Sequence, residues 1–380
     1  MAQQRQQVTL GDIARELSLS TGTVSRALQD HPAINAMTKA KVLSVAKTLG
    51  YRPNMAARFL SSKRSLRIAV NLPKESANFY ALVRRGIEDE AEPFKMAGIE
   101  VKHRILPSLF EGEVEAFEEN LKEEVDGIIL VPGDPQRLNS CFRRASRARI
   151  PVVCVVSDAP DAKKLASVSV NTESSGAIAA ELMARFMGGK GRIAVSSGDL
   201  RIADHAQKYS AFKSTMASLY PDVEVCPAVE NHGLPSEAYD RVLTFLKGQA
   251  NLSGLYISTG YGAAPVLRAV EDAGLAGKLT VFATSLFEDL VPRIESGTVV
   301  GTLYERPYSQ GRLALRLLRE YLIDGKWPAP RTQLAPLLIM KSNIGSYFRP
   351  AGSLSKQPIT WSETTAWASA DELRQFEGEV

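Results

Sequence analysis

A short segment near the amino terminus carries side chains that could contact the bases of a nucleic acid. Residues 21–28 place their apolar side chains at helical spacing, which predicts a helix with one buried face. The positions left facing outward are Thr21, Gly22, Ser25, Arg26 and Gln29. A guanidinium can bond guanine O6 and N7 with two parallel hydrogen bonds, so Arg26 is the best candidate for a base contact. Gly22 has no side chain to offer to a base.

Neighbouring helices must position this segment. The first helix follows Thr9, a predicted N-cap, and Asp12 three residues later completes a capping box. A short polar break joins that helix to residues 21–28, and two short helices joined by a tight turn are typical of a helix-turn-helix, whose second helix enters the major groove. A third helix is predicted from about residue 37 to residue 49. Thr38 lies at its start, where a hydroxyl and backbone N–H groups can meet a phosphate.

The positive charge of the chain is concentrated in this first part. Residues 1–67 contain 11 Lys or Arg and 3 Asp or Glu, whereas the remainder contains 35 basic and 39 acidic residues. A basic head on a mildly acidic body indicates a polyanionic partner for the head. The alternative on charge alone is a basic solvated tail, and the helical pattern within the head argues against it.

A candidate hinge follows the third helix. Gly50 is a typical residue to end a helix, and Pro53 is well placed to start another. Residues 54–61 are too few for a stable isolated helix, but they could fold on DNA. Leu60 would then be a wedge between base steps in the minor groove. A plain interdomain linker is the alternative interpretation.

Four motifs at fixed spacing resemble the lactose/galactose-repressor family of bacterial transcription regulators, and the match runs through residues 8–65. The motifs are VTLGDIA at residues 8–14, STGTVSRAL at 20–28, LGYRPN at 49–54 and ARFL at 57–60. The resemblance implies a dimeric repressor that binds a pseudopalindromic operator in double-stranded DNA.

The resemblance also implies roles for individual residues of the head. In the family, the residues matching Thr21 and Gly22 set base specificity, and the residue matching Arg26 also reads bases. The leucine matching Leu60 pries open the central step of the operator. Contacts mainly to phosphates are implied for Thr9, Ser20, Ser25, Thr38, Tyr51 and Asn54, and the predicted DNA-binding set also includes Thr23, Gln29 and Ala57. The family often has a longer side chain where this chain has Gly22, so the operator sequence does not follow from the resemblance.

From Leu66 onward the pattern changes to ten candidate strands that alternate with helical segments. This alternation predicts a parallel, doubly wound α/β architecture, and its length predicts two lobes. Ligands of such sheets bind beyond the carboxyl ends of the strands, here between the lobes. Several motifs resemble the type I periplasmic-binding-protein fold that the same family uses as a sugar sensor. They are FY at 79–80, RGIED at 85–89, VDGIILVP at 125–132, IPVV at 150–153 and ERPYSQG at 305–311.

The predicted ligand site consists of residues at or beyond the ends of those strands. Phe79 and Tyr80 could stack on the apolar face of a sugar ring. The others supply hydrogen-bonding groups: Asp134, Ser157, Asp158, Asn171, Thr172, His205, Lys208, Tyr261, Ser285 and Glu305. Asp134, Asp158 and Asn171 also fit the alternative of ordinary loop and N-cap residues. The predicted effector is a small, sugar-like molecule.

The charge of that ligand is a separate hypothesis. The family often has Asn-Asp where this chain has Thr259-Gly260, and it often has Asp where this chain has Ser285. Fewer carboxylates in a pocket that keeps Lys208 and His205 would favour an anionic ligand, such as a sugar phosphate or a sugar acid.

Other classes of protein are disfavoured by what the sequence lacks. No apolar run reaches the roughly 18 residues of a membrane helix, and the polar opening residues predict no secretory signal. Three distant cysteines favour a reducing cytoplasm. The histidines lack metal-ligand spacing, and there is no phosphate-binding loop, complete dinucleotide fingerprint or nucleophile elbow, so no metal, cofactor or enzymatic activity is predicted. A sugar-acting enzyme and a pure solute-binding protein are the rival classes.

The predicted domains are a helix-turn-helix domain (residues 1–52), a hinge helix or linker (53–65), a two-lobed ligand-binding and dimerisation domain (66–344) and a C-terminal tail (345–380). The tail lacks a sustained heptad pattern, so a homodimer is predicted rather than a tetramer. The sequence leaves open whether the ligand is an inducer or a corepressor, and whether the protein represses or activates.

Overall fold

A computed structural model of the chain describes residues 8–28, 34–49, 65–74, 77–96, 98–231, 235–260 and 262–347. These residues form a small helical head and an α/β body with two sheets. Within these ranges, no helix is both long enough and apolar enough to cross a membrane.

The described part of the head consists of α1 (Leu10–Leu17), α2 (Thr21–Leu28) and α3 (Ala36–Thr48). The predicted capping box at the start of α1 is confirmed: the Thr9 N–H donates to Asp12 Oδ2 (2.8 Å), and the Asp12 N–H donates to Thr9 Oγ1 (3.3 Å). The third helix ends at Thr48, one residue before the predicted end, and Leu49 beyond it is 37% exposed. The buried core of the head consists of Ile13, Ala14, Val24, Ala27, Val42 and Ala46.

The strands of the body form two six-stranded sheets across the described residues. They are β1 (Leu66–Pro73), β2 (Ile99–Leu106), β3 (Gly127–Leu130), β4 (Val152–Val155), β5 (Ala166–Val170), β6 (Gly191–Ser197), β7 (Val223–Glu230), β8 (Leu252–Ile257), β9 (Thr280–Thr284), β10 (Gly301–Tyr304), β11 (Arg331–Leu334) and β12 (Leu337–Ile339). The first sheet has the order β11-β5-β4-β3-β1-β2, and the second has the order β12-β10-β9-β8-β6-β7. Neighbouring strands are parallel except β12, which runs antiparallel to β10, so the predicted parallel α/β architecture is confirmed.

Helices pack against these sheets. They are α4 (Ala77–Ala91), α5 (Glu113–Lys122), α6 (Pro135–Ala148), α7 (Thr172–Phe186), α8 (Ala203–Leu219), α9 (Pro235–Gly248), α10 (Ala263–Asp272), α11 (Val291–Ser296) and α12 (Pro307–Asp324). The first sheet with α4, α5, α6 and α12 is lobe 1, and the second sheet with the remaining helices of the body is lobe 2.

The described chain passes between the lobes at three places. It crosses where β5 leads into α7, where β10 leads into α12, and at residues 335–336 between β11 and β12. Beside the first crossing, α7 and α8 approach closely at Gly176, where a Cβ atom would lie 2.2 Å from the Lys208 carbonyl oxygen. Only glycine fits this contact, and a side chain there would push α8, and Lys208 with it, out of place.

Two strands of the body, β11 and β12, were not among the ten strands expected from the sequence. The two strands contain only 4 and 3 residues, which is too short for a periodic pattern. The arginines of α6 are exposed, as expected for a solvated helix face, whereas Leu138, Cys141, Phe142 and Ala145 lie at helical spacing and are buried.

Candidate functional site

The head presents the outward face of α2 to solvent. Thr21, Gly22 and Arg26 are exposed, whereas Val24 and Ala27 are buried against the other two helices. A Cβ atom at Gly22 would lie 3.8 Å from Ser20 Oγ and 4.0 Å from Arg26 Nη2, so this position has room for a side chain. The geometry suits insertion of α2 into a major groove, with Arg26 as the only long cationic side chain on the described part of this helix.

Two of the predicted phosphate contacts, Thr9 and Ser20, also cap helices, and a third, Thr38, is capped by Asn35. Ser20 Oγ accepts a hydrogen bond from the Thr23 N–H (3.1 Å), and Thr9 caps α1 with Asp12 as described above. The Thr38 N–H donates to Asn35 Oδ1 (2.8 Å), so the Thr38 hydroxyl, and not its N–H, is left for a phosphate. These caps fix the helix starts at which phosphates would bind.

Some predicted site residues lie outside the described part of the chain. They are Gln29, Tyr51, Asn54, Ala57 and Leu60 of the DNA-binding set and Tyr261 of the ligand-binding set. All of the predicted hinge except Ser65, and all of the predicted tail beyond residue 347, also lie outside it.

A cavity of about 260 Å³ lies between the two lobes, at the carboxyl ends of their strands. Lobe 1 lines it with Phe79, Tyr80, Ser108, Leu109, Phe110, Val156, Val170 and Gln310. Lobe 2 lines it with Gly198, Asp199, Ile202, Asp204, His205, Lys208, Asn231, Thr259, Gly260, Ser285 and Glu305. The lobe 1 wall is mostly aromatic and aliphatic, and we call it the apolar wall. The lobe 2 wall is mostly polar or charged, and we call it the polar wall. Such a cavity suits a ligand with one apolar face and several hydrogen-bonding groups.

A buried ion pair organises the polar wall. Lys208 Nζ donates to Glu305 Oε1 (2.6 Å) and to the Ser258 carbonyl oxygen (3.3 Å), and it lies 3.4 Å from Asp204 Oδ2. The Ser285 hydroxyl donates to the second oxygen of Glu305 (2.8 Å). Lys208 is 1% exposed and Glu305 is 8% exposed, so the pair is shielded from bulk water.

The charges on this wall are set by burial and by these partners. Burial alone would lower the pKa of Lys208, but the carboxylates of Asp204 and Glu305 outweigh it and leave that pKa raised. Desolvation lowers the pKa of His205, so its ring is neutral at pH 7. The Nδ1–H of His205 donates to the Asp199 carbonyl oxygen (2.9 Å), which leaves Nε2 as an acceptor. Lys208 is therefore charged, but the carboxylates of Asp204 and Glu305 balance its charge. His205 is an uncharged hydrogen-bonding group.

Six of the predicted ligand residues line this cavity. They are Phe79, Tyr80, His205, Lys208, Ser285 and Glu305. The rings of Phe79 and Tyr80 meet edge to face with centroids 5.4 Å apart, on the lobe 1 side. Contact of these six residues with a ligand stays a prediction that follows from their position.

Five other predicted residues are not brought to the cavity, because they have structural roles nearby. Asp134 caps α6 by accepting from the N–H groups of residues 136 and 137, and Asn171 caps α7 by accepting from the Ser174 N–H (2.8 Å). Asp158 pairs with Lys164 (2.9 Å) and Arg331 (3.2 Å). Ser157 is buried, with its N–H bonded to the Val155 carbonyl oxygen, and the Thr172 hydroxyl donates to Gln207 Oε1 (3.0 Å).

The cavity also contains polar residues that were not predicted as ligand contacts. Asp199, Asn231 and Thr259 directly follow or lie just beyond β6, β7 and β8, so the rule for strand ends could have found them. Asp204 and Gln310 lie in the first turns of α8 and α12, and no sequence signal marks them. Across the described residues, no group of three or more His, Cys, Asp or Glu side chains could hold a metal ion.

Comparison with known proteins bears on both parts of the chain. A family model described as bacterial regulatory proteins, lacI family, matches residues 9–54. A second one, described as a periplasmic binding protein domain, matches residues 68–326. Catabolite control protein A from Staphylococcus aureus is 30% identical over 337 residues, which cover 86% of this chain and 96% of that protein. The protein of the same name from Priestia megaterium is 29% identical over 324 residues, which cover 83% and 92% of the two chains.

Solved structures of solute binding proteins resemble about three quarters of the chain. An ABC transporter solute binding protein from Burkholderia graminis, in complex with D-arabinose, has a TM-score of 0.69 and 24% identity, covering 75% of this chain and 98% of its own. One from Agrobacterium vitis, bound with alpha-D-tagatopyranose, has a TM-score of 0.68 and 22% identity, covering 74% and 96%. At these identities the likeness shows the fold. Family models match both the head and the body, and a relative that is 30% identical is matched over most of its length. The chain therefore belongs to the lacI family of bacterial regulatory proteins and is a DNA-binding transcription regulator with a periplasmic-binding-protein-like sensor domain.

Proposed function

We propose that the protein is a homodimeric repressor controlled by a neutral, polyhydroxylated metabolite bound between its lobes. Two heads, one from each protomer, bind the half-sites of a pseudopalindromic operator. The ligand changes the closure of the lobes and thereby the spacing of the heads. Such coupling requires that the ligand bind more tightly to one of the two states of the protein, either the DNA-competent or the incompetent one.

The observation that carries the ligand class is the pairing of Lys208. An anionic ligand would need an available cation, but Lys208 is bonded to Glu305 and lies beside Asp204. His205 is neutral because of its lowered pKa. The remaining acidic group on this wall, Asp199, would repel an anion, although Arg201 partly offsets its charge. These groups argue against the anionic hypothesis and favour a ligand whose hydroxyls donate to carboxylates and accept from neutral donors.

The apolar wall supports the same class of ligand. Phe79 and Tyr80 offer ring faces and edges to the C–H face of a sugar or cyclic polyol, while lobe 2 bonds its hydroxyls. Solute binding proteins with the same fold hold D-arabinose and tagatopyranose in their solved structures, which adds support for a carbohydrate.

The first experiment measures thermal unfolding of the full chain with neutral sugars, polyols, sugar phosphates and sugar acids. A ligand at about 100 times its dissociation constant adds about 2.7 kcal/mol to the free energy of unfolding, which such a scan detects. Stabilisation by neutral members alone is expected, and stabilisation by phosphates or acids alone would overturn the neutral assignment. Operator binding repeated with the ligand then separates an inducer, which weakens it, from a corepressor, which strengthens it.

The head has a test of its own in Arg26→Ala. This change should weaken specific operator binding by about 1–3 kcal/mol and relax the preference at one base position, because it removes a bidentate base contact. Arg15→Ala is the matched control, since Arg15 is an exposed arginine on α1 rather than on the recognition helix. It should leave the base preference unchanged. An unchanged base preference in Arg26→Ala would remove Arg26 from the base-reading residues.

A further inference from the structure

Phe110 and Arg201 meet across the cleft from opposite lobes. Phe110 belongs to the loop after β2 in lobe 1, and it lines the cavity. Arg201 belongs to the loop after β6 in lobe 2, and its guanidinium carbon lies 4.8 Å from the centroid of the Phe110 ring. The Arg201 side chain is 74% exposed, so this contact lies where the cavity meets solvent. It is a cation–π contact between the two lobes, and the lobes must separate for a ligand to enter.

Lobe 2 holds the guanidinium in a fixed orientation. Arg201 Nε donates to both oxygens of Asp199 at 2.9 Å, and Nη2 also donates to Oδ2. The Arg201 backbone N–H donates to Asp199 Oδ1 (2.8 Å). Asp199 is 3% exposed and itself lines the cavity. The planar fork of the guanidinium is therefore aligned by a buried carboxylate of the ligand site.

Lobe 1 holds the ring in an unusual backbone conformation. Phe110 has φ +72°, a left-handed region that is an outlier for a bulky side chain. Its N–H donates to the buried Glu113 Oε1 (3.1 Å), and its carbonyl oxygen accepts from Arg137 Nη1 (3.1 Å). The same Glu113 oxygen accepts from the Gly133 N–H (2.9 Å), and a Cβ at Gly133 would lie 2.3 Å from that oxygen. The surroundings thus impose a conformation that aromatic residues rarely adopt, as is common at ligand-binding sites.

We propose that Phe110 and Arg201 form a clamp that closes the cleft, in which Arg201 of lobe 2 holds the Phe110 ring of lobe 1 over the bound ligand. The clamp rests on the proposed function of the cleft as a site for a neutral, sugar-sized ligand. It biases the free protein toward the closed arrangement, and it must open for each ligand to enter or leave. A contact of this type at an exposed position shifts a two-state equilibrium by about 2- to 5-fold.

The test measures the distance between the lobes in the full chain without any ligand. Spin labels are placed on Arg147→Cys in lobe 1 and Thr244→Cys in lobe 2, both exposed positions. The three native cysteines are buried and will not react. Arg201→Met should raise the population with longer inter-lobe distances by about 2- to 5-fold. Phe110→Leu leaves the Arg201–Asp199 pair in place and should have a similar effect, and the double variant should add little to either.

The matched control is Arg268→Met. Arg268 lies over the Tyr239 ring at 5.5 Å, and both residues belong to lobe 2, so this cation–π contact cannot hold the lobes together. The control should leave the inter-lobe distances unchanged. The clamp would be overturned if Arg201→Met and Phe110→Leu gave the same distances as this control. Failure of every neutral sugar to stabilise the protein would instead overturn the proposed ligand, so the two failures are distinguishable.

Discussion

The two lobes have sheets with corresponding strand orders, yet they line the cleft with different chemistry. The clearest pair is Val156, which follows β4 in lobe 1, and Ser285, which follows β9 in lobe 2. Both have left-handed backbones, with φ of +71° and +69°, and both line the cavity. Val156 packs on the core of lobe 1, whereas Ser285 donates to Glu305. The repeated fold fixes the place and the backbone shape, and the side chain alone decides between an apolar surface and a hydrogen bond.

This difference assigns separate tasks to the two walls. The lobe 2 wall depends on buried charges that must stay paired, so changes there should affect both stability and ligand binding. The lobe 1 wall offers aromatic surface, so changes there should affect ligand binding through lost contact area and stacking. Substitutions on each wall test this division.

The largest effect is expected for Glu305→Gln on the polar wall. It should lower the free energy of unfolding by about 3 kcal/mol, the lower end for a broken buried pair, because Asp204 still lies 3.4 Å from Lys208. Urea denaturation of the full chain measures the loss. The double variant Glu305→Gln/Lys208→Met removes both charges and should recover part of the stability. No recovery in the double variant would mean that the pair does not act as a unit.

Exchange of the equivalent residues tests the comparison directly. Ser285→Val should destabilise the protein by about 2 kcal/mol, because one oxygen of the buried Glu305 loses its donor. Val156 shows that a valine can adopt this backbone conformation, so strain should not dominate. The reciprocal change Val156→Ser breaks no hydrogen bond and should cost less in the same urea titration. Equal losses in the two variants would contradict the division between the walls.

His205 gives the polar wall a pH dependence. Its pKa is lowered by desolvation in the folded protein, so below about pH 6.5 the unfolded chain binds more protons than the folded one. Stability contributed by neutral His205 is present above that pH and is lost on acidification, by at most about 1.4 kcal/mol per pH unit. His205→Gln should show a shallower loss between pH 7 and 5.5 in thermal unfolding. A loss as steep as in the unchanged protein would exclude His205 as the source.

The smallest effect is expected on the apolar wall. Phe79→Ala should weaken binding of the ligand found by the thermal scan by about 1 kcal/mol, or roughly fivefold, because an aromatic contact is lost. Phe94→Ala is the matched control, since Phe94 packs on the same core but does not line the cavity. Isothermal titration should show an unchanged affinity in the control. Equal weakening in both variants would point to general loosening of lobe 1.

Much of the fold could be predicted because its signals are local. The capping box at Thr9 depends on residues three positions apart, and the strand–helix alternation is visible wherever strands are long enough. The sequence pattern did not indicate β11 and β12 because both strands are short. They are held in place by pairing with β5 and β10, which are distant in the sequence. The rule that ligands bind at the carboxyl ends of strands predicted only part of the ligand site. That rule led to Ser285 and Glu305, but it also led to Asp134 and Asn171, which cap helices instead.

The sequence alone determined that this chain has a helix-turn-helix head and a parallel α/β body, because helical spacing, caps and strand alternation are properties of neighbouring residues. Only the tertiary structure decided the chemistry of the cleft. Lys208 and Glu305 are 97 positions apart, and their contact neutralises the cation that suggested an anionic ligand. Phe110 and Arg201 likewise meet only because two separate lobes face each other. Charge in a buried site depends on which partner the folded chain brings within hydrogen-bonding distance, and sequence spacing does not carry that information.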